Sequence, residues 1–116
     1  MGDDFQSVKT IIVQPGSATV PYTFTFAACS SATANDGSIP FGTTISSCVT
    51  KAFNEAGTDS TTALISSESL ASPVVTVNLK YPTTAGKYSL EFVLTLSSGA
   101  VMEFDFTRVY AEDIAV

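Results

Sequence analysis

Apolar and polar residues alternate with a period of two along the last third of the chain. In GKYSLEFVLTLSSGAVMEFDFTRVY, residues 86–110, Tyr88, Leu90, Phe92, Leu94 and Leu96 fall at every second position. Met102, Phe104 and Phe106 repeat the spacing after a break at Ser98 and Gly99. That period belongs to strands, whose successive side chains point to opposite faces. It predicts a long antiparallel hairpin with a two-residue turn, Gly99 supplying the positive φ that primed turns need. The aromatic-rich face of this hairpin requires a second layer, which the rest of the chain must supply.

Residues 7–13 (SVKTIIV) are short and β-branched and stop at Pro15-Gly16, predicting an edge strand. Residues 19–28 (TVPYTFTFAA) set Val20, Tyr22, Phe24 and Phe26 against a Thr-rich face, with Pro21 near the strand start, where its missing donor costs little. Residues 29–42 (CSSATANDGSIPFG) read as a loop. Residues 43–53 are extended but untidy: Ile45, Val49 and Phe53 share a parity with Ser47 and Lys51, which calls for a bulge or an edge position. A turn follows at 54–59, then a short strand or single helical turn at 61–66, then a strand at 72–79. About seven strands with turn signals roughly every 8 to 12 residues predict an all-β, immunoglobulin/fibronectin III-like antiparallel β-sandwich. Tyr88, two residues after Gly86, falls where such domains place a corner tyrosine, an ordinary core aromatic being the alternative.

The 116 residues suit one domain, 1–116, with a flexible N-terminus at 1–6 and a C-terminal tail at 111–116. With 45% hydrophobic residues a packed core is available. A net charge of −6 and only five Lys or Arg make nucleic acid and anionic membranes poor partners, since both are held by clustered cations. No stretch approaches the roughly 18 apolar residues of a membrane span, and MGDDFQSVKT lacks a signal peptide's basic and apolar regions. Cytoplasmic synthesis is therefore expected.

Histidine is absent, which removes Ser–His and Cys–His nucleophile pairs and histidine metal sites. Tryptophan is absent too, weakening a carbohydrate platform. Glu91, Glu103 and Asp105 share the hairpin face opposite the apolar one, where a solvated sheet surface is a simpler reading than a glycosidase pair. Asn35-Asp36-Gly37, and Asn54, Glu55 and Asp59, put oxygen ligands on loops without calcium-loop spacing. Cys29 and Cys48 do not sit where antibody-type domains place their bridge; two free thiols are expected, a bridge closing the loop between them being the alternative. No catalytic residue, cofactor or metal is expected.

The segments PYTFTF, GTTISSCVTKAF, AGTDSTTALISS and YPTTAGKYSLEFVLTLSSGAVMEFDFTRV together resemble the small immunoglobulin-like proteins of bacteriophage and prophage tail and neck modules, described as fibre–tail adaptors. The matching positions are Gly42, Ile45, Ser47, Gly86, Tyr88, Leu90, Leu96, Ser97, Ser98 and Gly99. The resemblance implies a non-enzymatic tail component, made in the bacterial cytoplasm, that joins other tail or neck proteins in a particle, within a symmetric ring. Ile39 and Phe41 on the long loop, and Arg108, Glu112 and Asp113 in a charged tail, are the expected partner contacts. Substituting Ile39 and Phe41 by Ser should weaken incorporation without changing melting. An extracellular adhesion or carbohydrate-binding module of a bacterial surface protein is the rival reading.

Overall fold

The computed structural model describes residues 11–13, 19–82 and 84–111. The strands β1 (Ile11–Val13), β2 (Val20–Thr25) and β3 (Ile45–Asn54) precede a single helical turn, α1 (Thr61–Leu64). Then come β4 (Ile65–Ala71), β5 (Val74–Leu79), β6 (Gly86–Leu96) and β7 (Val101–Ala111). They form two sheets, ordered β1-β7-β6-β3 and β2-β5-β4. This is an immunoglobulin-like sandwich of seven strands. All pairs are antiparallel except β1 with β7, which run parallel.

The core lies between the sheets and is built on phenylalanine. Phe24 of β2 and Phe26 just beyond it meet the hairpin from the opposite sheet, with ring centroids 4.7 Å (Phe24–Phe92), 5.4 Å (Phe24–Phe106), 5.3 Å (Phe26–Phe92) and 5.1 Å (Phe26–Phe104). Tilted and edge-on contacts at these distances suit the aromatic quadrupole and add about 0.5–1.5 kcal/mol per pair beyond area burial. Leu90, Leu94 and Leu96 of β6 and Val75, Val77 and Leu79 of β5 fill the remaining space.

Bulges decide which side chains reach this core. Between the pairs Tyr88–Val109 and Leu90–Phe106, β7 has Thr107 and Arg108 where β6 has only Ser89. The extra residue flips the parity, so Phe106, Val109 and Ala111 are all buried on one strand. In β3 an extra residue at Ser46 does the same. The bulge and the edge position foreseen as alternatives for this strand therefore both occur. Its inner face is Cys48, Thr50 and Ala52, opposite Leu94, Phe92 and Leu90, while Val49 is left 51% exposed.

The edge of β3 is covered along half its length. Thr50 N–H donates to Glu68 Oε1 of β4 at 3.3 Å, Ala52 N–H to Thr61 Oγ1 at 3.0 Å and Asn54 N–H to the Thr58 carbonyl at 2.9 Å. Glu68 pairs with Val77, whose side chain is buried, so this carboxylate lies on the inner side of the edge strand β4. An inward charge of this kind, together with occupied edge donors, hinders pairing with a foreign strand.

Four expectations are corrected. The hairpin connection is three residues, Ser97 to Gly99, closed by Leu96 N–H to the Ala100 carbonyl at 2.8 Å and Gly99 N–H to the Leu96 carbonyl at 2.9 Å. Gly99, at φ +91°, is the left-handed residue of a bulged type I turn rather than part of a primed one. Residues 61–66 are helical turn and strand in succession. The predicted tail begins too early, since Ala111 is paired with Gly86 in β7 and 1% exposed. Arg108 likewise lies within β7, its guanidinium 4.7 Å from the Phe106 ring centre. Residues 1–6 and 112–116 are outside the described residues.

Candidate protein-binding surface

Three connections gather at one end of the sandwich: residues 26–44, the Ser72-Pro73 turn and the hairpin turn at 97–100. The long loop is pinned to its own root. Ser38 N–H and Ile39 N–H both donate to the Ala27 carbonyl, at 2.7 and 3.2 Å, and Cys29 N–H donates to the Ile39 carbonyl at 2.9 Å. Gly37 makes this return feasible, because a Cβ there would sit 2.5 Å from backbone atoms of Ala28 and Cys29. Asp36 closes the outer part of the loop, accepting Ser30 N–H and Oγ–H at 2.9 and 2.7 Å. These two bonds hold its carboxyl below the usual aspartate range.

From this anchor the chain makes one tight turn. Thr43 donates to the Pro40 carbonyl from N–H at 3.2 Å and from Oγ1 at 2.6 Å, and Gly42 takes φ +79°, the positive value a type II turn needs at its third residue. Phe41 therefore occupies the corner and is 54% exposed, between Ile39 and Ile45, which are both buried. The turn is tied to the neighbouring loops on its far side. Thr44 N–H donates to Ser97 Oγ at 3.0 Å, Ser97 N–H to the Thr44 carbonyl at 2.8 Å and Ile45 N–H to Ser72 Oγ at 3.1 Å. Phe41 is thus an exposed aromatic on a braced support. Across residues 26–44, 72–73 and 97–100 the sole charged side chain is Asp36. Exposed aromatic surface with few charges is the composition of an interface centre.

The expected contact residues divide. Phe41 is available. Ile39 is not: it is 1% exposed and belongs to the core, so its substitution by Ser would test folding rather than binding. Arg108 sits on the β7 strand, and Glu112 and Asp113 lie outside the described residues. Tyr88, 5% exposed, donates its hydroxyl to the Thr84 carbonyl at 2.6 Å, the geometry of a corner tyrosine.

The chemistry considered elsewhere is absorbed by structure. Glu91 is paired with Asp105 on the outer sheet face, and the carboxylate oxygens of Glu91, Glu103 and Asp105 lie within 4.8 Å of one another. Partial desolvation, then Glu103 and Asp105, raise the Glu91 pKa, with Lys51 across the β3–β6 pair opposing them. Asn54 Oδ1 accepts the N–H groups of Ala56 and Thr58, at 3.0 and 2.9 Å, and Asp59 Oδ1 accepts that of Thr61 at 2.9 Å. These oxygens shape the turn before α1. Cys29 and Cys48 are both free thiols. Burial pushes the Cys48 thiol up, which disfavours its nucleophilic form.

Sequence reasoning missed three supports of this surface: Gly37, the Thr44–Ser97 pair and the Ser72 brace. Asn-Asp-Gly carried a signal for a glycine turn, but nothing local tells that a backbone passes close to it. No protein-family model and no curated protein matches the sequence.

Proposed function

We propose that the chain is a non-enzymatic structural protein, an adaptor or neck component of a phage or prophage tail, that works through protein–protein contacts made by its loop end. The observation that carries this reading is Phe41, more than half exposed on a turn braced by residues from three separate connections. Holding a large apolar side chain in water is unfavourable, and fixing it in one place lowers the entropy cost of docking it. The chain has no histidine and its two thiols are buried or half-buried, so the inventory favours adhesion over covalent chemistry. The sequence resemblance to tail adaptors supplies the setting.

The test is a substitution that removes the contact and leaves the fold. Phe41→Ser in the native source should lower recovery of the chain in purified particles at least several-fold, with the melting temperature of the isolated protein unchanged. Full incorporation of Phe41→Ser would remove the loop end from the proposal.

A further inference from the structure

We infer that the partner of the loop end is a second copy of this chain, the Phe41 turn of one copy seating in a groove at the opposite end of the next. That groove is lined by Asn54, Ala56, Ala63, Ala85, Gly86 and Tyr88, among others. Gly86 opens β6, whereas Ser97, which braces the Phe41 turn, follows its last residue. An 11-residue strand spans roughly 33 Å, so knob and groove occupy opposite poles. Three alanines and a glycine leave room for an aromatic ring, and the nearly buried Tyr88 ring behind them offers it an aromatic neighbour.

Charge selects the occupant. Each copy carries a net −6, and a contact between sheet faces would set Glu91, Glu103 and Asp105 against an acidic neighbour. The two poles avoid that repulsion. The loop end carries only Asp36, already bonded to Ser30, and the groove lining balances Glu55 with Lys87. A strongly basic partner would find little counter-charge at the Phe41 turn, and an acidic partner would find none. A second copy matches both ends: neutral against balanced, projecting ring against small side chains.

Because the two patches differ, the contact is heterologous and cannot close at two copies; repetition gives a ring or an open string. The contact deepens the assembly function proposed above and rests on it for its setting, although it is testable in solution alone. Sedimentation velocity of the full chain at rising concentration should show a mass that climbs past two copies. Phe41→Ser, which removes the knob, and Ala85→Arg, which fills the groove at an exposed position, should each remain monomeric with unchanged melting. An equimolar mixture of the two variants should form dimers and stop there, since only one good knob and one good groove remain per pair. A wild-type chain that stays monomeric up to about 1 mM, one that stops at two, or a mixture that fails to pair would overturn the contact. If the chain were still found at fixed copy number in particles, the assembly function would stand without it.

Discussion

Thr44 and Ser97, 53 residues apart in the chain, are joined by two hydrogen bonds, Thr44 N–H to Ser97 Oγ and Ser97 N–H to the Thr44 carbonyl. They bind the end of the long loop to the tip of the central hairpin, and so fix where Phe41 points. Ser97→Ala removes the first bond and leaves the second. The expected loss of stability is about 0.5–1.5 kcal/mol, the usual net worth of one hydrogen bond, read from urea unfolding. Ser98→Ala is the control, because Ser98 Oγ accepts only a long 3.4 Å bond from Ala100 N–H. Equal effects of the two substitutions would deny the brace its role.

Two glycines should respond differently to alanine. At Gly37 the added Cβ meets backbone 2.5 Å away, and backbone cannot swing aside as a side chain does. Overpacking there should cost about 1–3 kcal/mol or more and should loosen the loop end. At Gly99 the space is open but φ is +91°, so the cost is conformational, about 1–2 kcal/mol, and local to the hairpin tip. Amide exchange across residues 27–39 separates the cases: faster in Gly37→Ala, unchanged in Gly99→Ala.

The difference between these glycines also shows what the sequence made legible. A strand period is a local signal, so the hairpin, the aromatic face and the sandwich could be read directly from Tyr88 to Phe106. The inner face of β3 could not. Cys48, Thr50 and Ala52 point inward only because an extra residue at Ser46 resets the parity, and Glu68, which covers Thr50, arrives from another strand. Ile39 looked like a loop residue because its neighbours are polar. Its burial comes from the chain folding back onto Ala27, a contact between residues 12 apart that composition does not encode.

Stability should peak on the mildly acidic side. Glu91 has its pKa raised, so the folded state binds its proton more tightly than the unfolded chain does. Stability therefore rises as pH falls from neutral toward about 5 and is lost as pH climbs through the folded pKa. Asp36 and Asp59 have lowered values through their bonds to Ser30 and Thr61. Their contribution is present above the unfolded aspartate pKa and disappears as pH drops through the folded one, below about 4. A melting temperature measured across this range should show both limbs, and Glu91→Gln should flatten only the upper one. A profile that falls steadily from pH 7 downward would contradict the assignment.

Both thiols should resist modification in the folded protein. Cys29 is buried, and Cys48 is half-buried with its thiolate disfavoured. A neutral-pH alkylating reagent should label each slowly under native conditions and both rapidly in denaturant. Mass spectrometry without reductant should show no intramolecular bridge. A quantitatively oxidised Cys29–Cys48 pair in protein from the native source would favour the extracellular module over the tail component.

The most direct measurement is quantitative mass spectrometry of particles purified from the native source after prophage induction. The assembly function predicts that the chain co-sediments with tail or neck proteins at a fixed, integral stoichiometry, which would also give the copy number. Recovery of the chain only in the cell-envelope or secreted fraction, with none in the particles, would contradict it.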